Sequence, residues 1–299
     1  MESSKYGDSD FIVRMKVAIY GLGLIGGSLA KDIRSSGFAS EIIGVESSAE
    51  HGKRALELGL IDKLEAREDA VSNADIIILA APVNALIDEL KFVLTRVSSS
   101  QTVLDVGSTK GSIIDEVRNF PNRARYVATH PMAGTEFSGP NAAVSGLFKQ
   151  RICIVCDVQD SAPDAVKAAE ELYSAIGMKI KHMESHRHDV HAAYVSHISH
   201  ISSFVLAATV LEKERDENAI FEMAGGGFES TVRLAKSSPK TWAPIFEQNK
   251  QPLLEAIDTY IEKMFHIRNL INKNKFEEVE TFLQDANIIG KTLDEKSGI

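Results

Sequence analysis

Residues 16–30 read KVAIYGLGLIGGSLA, a short apolar run followed by the pattern G-x-G-x-x-G and a stretch with helical spacing. A glycine loop between a strand and a helix is typical of dinucleotide-binding domains. Gly21 permits the tight turn, Gly23 lets the backbone approach a pyrophosphate, and Gly26 lets the helix pack closely on the strand. The alternative is an ordinary surface turn rich in glycine.

The segment after this loop predicts which dinucleotide binds. Phosphates are expected over the unpaired N–H groups at the start of the helix, at Leu24 and Ile25. The second predicted strand ends at Glu46, twenty residues after Gly26, where a carboxylate can accept hydrogen bonds from an adenosine ribose. A carboxylate would repel the 2′-phosphate of NADP, and the two serines that follow offer no arginine to bind it. The sequence therefore favours NAD over NADP.

From residue 15 onward, short apolar runs alternate with helical stretches such as 26–36 and 49–58. Continuous apolar strands separated by helices indicate a parallel sheet covered on both faces. We therefore predict an α/β Rossmann-type domain over residues 15–183. The strands expected in it are 16–20, 41–46, 75–80, 102–106, 126–129, 152–156 and 179–183.

Past His186 the strand pattern stops, and we predict an all-α domain over residues 184–299. The helices expected there are 189–215, 239–274 and 277–290. The segment 192–211 is apolar nearly all round, and a helix of this kind is expected to be central. Burying it within so short a domain would take a second subunit, which predicts a homodimer through the helical domain.

The composition excludes several classes of partner. A net charge of −9, from 33 basic and 42 acidic residues, repels nucleic acid and anionic membranes. No apolar run of about 18 residues occurs, so we predict no membrane span. The polar residues 1–14 hold no apolar core of signal-peptide length and are expected to form a loose leader or to reflect variation in the start site. The protein is therefore expected to be cytoplasmic.

Two cysteines, Cys153 and Cys156, have the spacing of a redox pair. The redox motif normally opens a helix, whereas these two lie in a β-branched apolar run that predicts a strand. We therefore expect two packed, reduced thiols.

Ligands of open parallel sheets bind outside the carboxyl ends of the strands. The third predicted strand is followed by Ala81 and Pro82, small residues that would let a cofactor lie close. The fourth leads into Ser108 and the fifth into His130, so both would emerge near the nicotinamide. Oxidising an alcohol needs a group that takes its proton near neutral pH, which suits histidine. The alternative is a histidine with a structural role only.

Five histidines stand close together in the helical half: His186, His188, His191, His197 and His200. Their spacing is not a common zinc pattern, and no cysteine or paired carboxylate completes a set, so we predict no metal. On an α-helix one face would carry Asp189, Ala193, Ser196 and His200. That face could present Ser196 and His200 to a substrate, while His197 points elsewhere. The alternative is that these polar groups hydrogen-bond one another in a dimer core.

A glycine-rich stretch, GGGFESTVR, occupies residues 225–233. Its glycines, Gly226 among them, allow close backbone approach, and Arg233 offers a fork for a carboxylate. The alternative for Arg233 is a mere surface cation. Trp242 follows the helix start at Pro239 and is expected to pack rather than bind.

Five motifs together resemble the prephenate and arogenate dehydrogenases. They are GLGLIGGS at 21–28, DVGSTK at 105–110, HPMAGT at 130–135, SHISH at 196–200 and GGGFESTVR at 225–233. The resemblance runs from about residue 15 to at least residue 250, and the order and spacing fit throughout. It implies an NAD-binding domain followed by a helical dimerisation domain, with the active site in the cleft between them.

The resemblance also implies an activity, NAD-dependent oxidative decarboxylation of prephenate to 4-hydroxyphenylpyruvate in tyrosine biosynthesis. It implies that His130 takes the proton of the ring hydroxyl, that Ser108 orients this hydroxyl beside the nicotinamide, and that Arg233 holds the ring carboxylate. The residues that would line the rest of the substrate pocket are Ser196, His200, Gly226 and Thr135. No metal is required for this reaction.

Two positions depart from the family pattern. Ser199 stands where the family motif SHLPH has a proline, which is expected to affect helix geometry more than chemistry. Glu229 stands where some relatives carry a lysine, and an acidic group there could favour the amine of arogenate. We favour prephenate and leave arogenate open. We expect no regulatory domain after residue 290 and no chorismate mutase domain before residue 15, so any feedback by tyrosine is expected at the active site itself.

Two rival interpretations remain. A β-hydroxyacid dehydrogenase has the same two-domain plan but uses a lysine on an interdomain helix, and residues 189–210 contain none. An inactive NAD-binding regulator would be expected to lose Ser108, His130 or Arg233, and all three are present. Both rivals are therefore less favoured than the dehydrogenase.

Overall fold

The computed structural model describes residues 15–217 and 219–297, so the predicted leader at 1–14 lies outside the described residues. The first half of the chain forms one eight-stranded sheet. Its strands are β1 (Met15–Tyr20), β2 (Ala39–Val45), β3 (Lys63–Leu64), β4 (Ile76–Leu79), β5 (Thr102–Asp105), β6 (Tyr126–Pro131), β7 (Ile152–Cys156) and β8 (Lys179–Met183). They lie in the order β3-β2-β1-β4-β5-β6-β7-β8.

The seven predicted strands are confirmed to within two residues at each end. The prediction missed β3, because a two-residue strand is too short to carry a hydrophobic pattern. The expectation of a wholly parallel sheet is wrong at one place, since β6 and β7 pair antiparallel. The connection between them holds only the 3₁₀ turn Pro140–Ala142, and antiparallel neighbours need no helical crossover.

Helices cover the sheet on both faces. They are α1 (Leu24–Ser36), α2 (Ala49–Glu57), α3 (Arg67–Asn73), α4 (Val83–Leu94), α5 (Gly111–Val117) and α6 (Pro163–Ala175). Successive side chains of a strand alternate between two apolar layers, so Val17 and Ile19 pack in one layer while Ala18 and Tyr20 pack in the other. The sheet is therefore buried on both sides, as its continuous apolar strands predict.

The two cysteines on β7 point into opposite layers, Cys153 into one and Cys156 into the other. Both thiols are free and buried. Burial raises the pKa of Cys156 to about 12, and it raises the pKa of Cys153 as well. The prediction of packed, reduced thiols is confirmed.

The second half of the described chain is helical. Its elements are α7 (Ser185–Ala192), a π-helical turn (Ala193–His197), α8 (Ile198–Glu217), α9 (Gly226–Val232), α10 (Pro239–Gln248), α11 (Lys250–Asn272) and α12 (Phe276–Ser297), with 3₁₀ turns at Ile220–Met223 and Arg233–Lys236. The helix predicted over 189–215 starts earlier and contains the π turn. The helix predicted over 239–274 is two helices, because the chain leaves helical geometry at Asn249.

The chain divides into two compact units, residues 1–249 and residues 250–299. The second unit, in its described part, is a hairpin of α11 and α12, in which the rings of His266 and Phe282 lie 5.8 Å apart. The predicted boundary at residue 183 marks the end of the last strand and the start of α7. Assigning separate roles to 15–183 and 184–299 stays a proposal.

One helical stretch in the described chain, Ser185–Glu217, is long and apolar enough to cross a membrane by length and composition. Only 11% of its most apolar window is buried. Its first turns, however, carry the buried polar side chains of His188, Asp189 and His197. One such stretch is weak evidence for a membrane span.

Candidate active site

The glycine loop joins β1 to α1 by a turn that two glycines make possible. Gly21 has a φ of +91°, and a Cβ there would lie 2.6 Å from the carbonyl oxygen of Ala80. A Cβ on Gly26 would lie 1.9 Å from the carbonyl oxygen of Gly21. The loop therefore excludes a side chain at both positions for reasons internal to the protein, which agrees with the roles expected of a tight turn and a close helix–strand contact.

Gly23 is a different case. It precedes the first residue of α1, and a Cβ there would meet nothing nearer than the backbone nitrogen of Gly139, at 4.0 Å. Packing within the protein thus does not require glycine at this position. The first N–H groups of α1, at Leu24 and Ile25, have no acceptor within the helix. Open space above a helix start fits a dinucleotide pyrophosphate.

Glu46 follows β2 and is held beside this loop. Its Oε2 accepts a hydrogen bond of 2.9 Å from the backbone N–H of Leu22, and its Oε1 accepts one of 3.1 Å from that of Ser48. The carboxylate is half-buried, so its oxygens keep further acceptor capacity toward solvent. The geometry fits a group that receives ribose hydroxyls.

Ala81 and Pro82 follow β4, next to the carbonyl of Ala80 that contacts the glycine loop. Ala81 is half-buried, and Pro82 is exposed and precedes the first residue of α4. The structure thus places both residues at the carboxyl edge of the sheet, beside the glycine loop.

His130 lies at the carboxyl end of β6 with a side chain that is 9% exposed. Its Nδ1 is 2.8 Å from Nε2 of His188, and Nδ1 of His188 is 2.8 Å from Oδ1 of Asp189. Burial, followed by the neighbouring His188 and Lys110, holds the pKa of His130 well below its ordinary value. The ring is therefore neutral near neutral pH, and its Nε2 makes no hydrogen bond to the described residues.

Asp189 completes this chain of side chains. Its Oδ1 accepts a hydrogen bond of 2.8 Å from the backbone N–H of Lys110, and its Oδ2 accepts one of 2.8 Å from that of Gly111. Sequence reasoning missed this arrangement. It grouped His188 with four other histidines and gave it no role, because spacing along a helix does not show which ring meets which partner.

Ser108 sits in the loop between β5 and α5. The pairing of Asp105 with Ala128 sets the ends of β5 and β6 side by side, so Ser108 and His130 leave the sheet on neighbouring strands. The Ser108 side chain is half-buried, and its hydroxyl has no hydrogen-bond partner among the described residues. It is thus available to a ligand.

A buried ion pair shapes the loop that carries Ser108. The ammonium of Lys110 contacts Oδ2 of Asp105, and both side chains are fully buried. Oδ1 of Asp105 accepts hydrogen bonds from the Tyr126 hydroxyl at 2.8 Å and from the backbone N–H of Thr129 at 3.2 Å. Full satisfaction by neighbours is what a buried carboxylate requires.

Arg233 reaches the loop that follows His130. Its Nη1 lies 3.2 Å from Oε2 of Glu136. The arginine side chain is 52% exposed, so its role as a fork for a carboxylate stays a prediction. The contact brings Arg233 to the chain segment that begins with His130, six residues before Glu136.

Ser196 and His200 lie on either side of the end of the π turn. The His200 ring stacks on Trp242 with centroids 3.4 Å apart, and its Nδ1 is 3.1 Å from the carbonyl oxygen of Ser196. Burial lowers the pKa of His200, and Arg233 lowers it further. The predicted face assumed a regular α-helix, whereas the π turn rotates Ser196 and His200 relative to Asp189. Such turns often mark functional sites.

His197 points into the protein. Its Nδ1 accepts a hydrogen bond of 3.0 Å from Nδ2 of Asn249, whose amide also donates to the carbonyl oxygen of Asp189 at 2.8 Å. Burial lowers the pKa of His197 to about 4. This histidine is therefore an interior, neutral group.

Two further pocket predictions find less support in the geometry. Gly226 is the exposed first residue of α9, and a Cβ there would meet nothing within 4 Å. Thr135 is exposed, and its Oγ1 accepts a hydrogen bond of 3.3 Å from the backbone N–H of Phe137. Within the described residues, neither makes a hydrogen bond to His130 or Arg233.

Comparison with known proteins gives consistent matches. A family model described as the nucleotide-binding domain of prephenate dehydrogenase matches residues 29–182, and one described as its dimerization domain matches residues 184–285. Prephenate dehydrogenase from Bacillus subtilis is 31% identical over 278 residues, which is 90% of this chain and 74% of that protein. Cyclohexadienyl dehydrogenase from Zymomonas mobilis is 30% identical over 258 residues, 85% of this chain and 88% of that protein.

A solved structure shares the fold over nearly the whole chain. The crystal structure of prephenate dehydrogenase from A. aeolicus, in complex with hydroxyphenyl propionate and NAD+, superposes with a TM-score of 0.87. The sequences are 30% identical, and the match covers 93% of this chain and 98% of that one. The nucleotide-binding sheet and the helical segment that follows it are thus common to both.

Proposed function

Because the chain belongs to the prephenate dehydrogenase family, we propose that it oxidises and decarboxylates prephenate to 4-hydroxyphenylpyruvate in tyrosine biosynthesis, with NAD⁺ as the oxidant. The observation that carries this proposal is the state of His130. Its Nδ1 is engaged by His188, and its Nε2 is left for a ligand at the carboxyl edge of the sheet. A neutral, buried imidazole in this place is a general base for an alcohol.

The proposed mechanism uses three side chains. Ser108 orients the ring hydroxyl, and Nε2 of His130 takes its proton as the C–H electron pair leaves as hydride. NAD⁺, when bound, accepts that hydride. Arg233 holds the ring carboxylate until its C–C bond breaks and CO₂ departs. The electron pair of that bond makes the ring aromatic, and the phenolate oxygen takes the proton back from His130, so the protein mainly positions the reacting groups.

The proposed cofactor site is built by Gly21, Gly23 and Gly26, the helix start, and Glu46. Gly23 supports it best, since its missing side chain leaves room that none of the described residues fills. Glu46 supports NAD⁺ over NADP⁺, because a carboxylate fixed by two backbone N–H groups repels a 2′-phosphate.

Arogenate is the alternative substrate. Glu229 lies exposed in the first turn of α9, where it could meet the amine of arogenate. The similar protein from Zymomonas mobilis is named for cyclohexadienyl compounds in general. We propose prephenate as the substrate, and the experiment tests both compounds.

We further propose a cytoplasmic homodimer. α8 exposes apolar side chains such as Val205, 58% exposed, and Leu211, 52% exposed. Large apolar side chains in such number are typical of a subunit interface. The matched dimerization model covers the same helices and supports this assembly.

The test is NADH formation by the purified full chain with prephenate and, separately, arogenate, in wild type and in His130→Asn. We expect turnover of prephenate and a fall of about 10²- to 10⁴-fold in kcat in the variant, the usual contribution of a general base. His182→Asn is the matched control, since His182 is exposed and pairs with Glu170. Failure of the wild type with both substrates would overturn the proposal, and turnover of arogenate alone would replace its substrate.

A further inference from the structure

Hydrogen bonds connect His130 to His188 and His188 to Asp189, and the carboxylate at one end determines which atom donates in each bond. An aspartate only accepts hydrogen bonds, and Asp189 accepts from two backbone N–H groups as well as from His188. Nδ1 of His188 must therefore carry the proton of its bond to Asp189. In a neutral His188, Nε2 then has the lone pair.

The lone pair of His188 acts on His130. Since Nε2 of His188 accepts, Nδ1 of His130 must donate across the 2.8 Å that separates them. A neutral His130 then has its own lone pair on Nε2, the nitrogen needed to take a proton from a substrate hydroxyl. The opposite tautomer would present an N–H there and could not act as a base.

We propose that His188 and Asp189 are positioning residues that fix the tautomer of His130 and stabilise its imidazolium once it has taken the substrate proton. This inference rests on the proposed function. His188 and Asp189 are 2% and 5% exposed, so water does not compete for these bonds. When His130 becomes charged, its Nδ1–H bond to His188 strengthens, and the bond from His188 to the Asp189 carboxylate strengthens with it.

Asp189 also connects the two histidines to the loop that carries Ser108. The N–H groups that it binds belong to Lys110 and Gly111, where α5 begins. The same carboxylate thereby holds both the base, His130, through His188, and the loop of Ser108, the residue proposed to orient the hydroxyl. A purely structural role, the capping of α5, explains those two backbone bonds but leaves the bond to His188 unexplained. A change at Asp189 would disturb both, so His188 is the informative position.

The kinetic test compares His188→Phe and His188→Gln with wild type. Phe keeps a ring but offers no acceptor, so we expect kcat to fall by about 10²-fold while the KM for NAD⁺ stays unchanged. The amide oxygen of Gln can accept from Nδ1 of His130, so this variant should recover part of kcat. The matched control is His191→Phe, one turn further along the same helix and exposed. A His188→Phe enzyme with the kcat of wild type would overturn the inference.

The direct test reads the tautomer by ¹⁵N NMR of histidine-labelled wild-type protein near neutral pH, with the His130 signals assigned by their loss in His130→Asn. We expect a protonated Nδ1 and a bare Nε2. The reverse pattern would overturn the inference, even if His188→Phe were too unstable to assay. The spectrum does not depend on turnover. A wild-type protein inactive on both substrates would overturn the proposed function, and the tautomer of His130 would still test the present inference.

Discussion

Arg233 and Glu136 form an ion pair in which Nη1 lies 3.2 Å from Oε2, with the arginine side chain 52% exposed and the glutamate side chain 21% exposed. The pair joins the loop after His130 to the segment after the triple glycine. The arginine proposed to hold the ring carboxylate thus already has a carboxylate partner. A substrate must replace Glu136 or share the guanidinium fork with it.

Removing that competitor should tighten substrate binding. In Glu136→Gln we expect the KM for the substrate to fall by up to about fivefold, since an exposed ion pair contributes roughly 0–1 kcal/mol. kcat should not change. Steady-state kinetics at saturating NAD⁺ measure both, with Glu222→Gln, another exposed carboxylate, as the control. A higher KM would instead mean that Glu136 orients Arg233 for the substrate.

On the acid side of the pH profile, kcat/KM should fall at a lower pH than it would with an ordinary histidine as the base. Burial, then His188 and Lys110, hold the pKa of His130 well below 6.5 in the folded protein. A base works only when neutral, so His130 stays competent as the pH falls through 6.5 and is lost only below it. Measuring kcat/KM between about pH 5 and pH 8 shows where the activity begins to fall on the acid side. A midpoint at or above 6.5 would contradict the burial described for His130.

The sequence could predict what depends on local pattern. Continuous apolar runs located seven of the strands, and the rule that ligands bind at strand ends picked out Ser108 and His130. The structure confirms their placement, because β5 and β6 are neighbours in a parallel pair with aligned carboxyl ends. Their roles in binding and catalysis stay predictions. Gly21 and Gly26 could also be predicted, because a tight turn between a strand and a helix needs them wherever it occurs.

What the sequence could not show depends on contacts between distant segments. His130 and His188 are 58 residues apart, and Lys110 and Asp189 are 79 apart. No periodicity links such pairs, so His188 looked like one more polar residue in a histidine-rich stretch. The π turn through Ala193–His197 likewise has no local signal, and it changed the face on which Ser196 and His200 were expected.

The glycines of the loop should separate binding from stability. A Cβ on Gly23 meets nothing nearer than 4.0 Å, so Gly23→Ala should change the free energy of unfolding by less than about 1 kcal/mol. It should weaken NADH binding, because the methyl group fills the space above the start of α1. Urea unfolding and fluorescence titration with NADH measure the two effects. An unchanged NADH affinity would contradict the placement of the pyrophosphate above the start of α1.

Gly26→Ala is the contrasting variant. Its Cβ would lie 1.9 Å from the carbonyl oxygen of Gly21, which is backbone and cannot move aside cheaply. We expect a loss of at least about 3 kcal/mol in the free energy of unfolding, at the upper end of what overpacking does. A stable Gly26→Ala protein would contradict the close helix–strand contact.

Deleting one partner of the buried ion pair between Lys110 and Asp105 should strongly destabilise the protein. Lys110→Met leaves the Asp105 carboxylate buried without its cation, and removing one member of a buried pair loses about 3–5 kcal/mol. Lys91→Met, which removes the cation from a partly exposed pair with Glu116, should lose no more than about 1 kcal/mol. Urea unfolding of both variants makes the comparison. If the two losses were equal, Asp105 would be satisfied by its hydrogen bonds from Gly107, Tyr126 and Thr129 alone, and Lys110 would not be needed to hold the Ser108 loop.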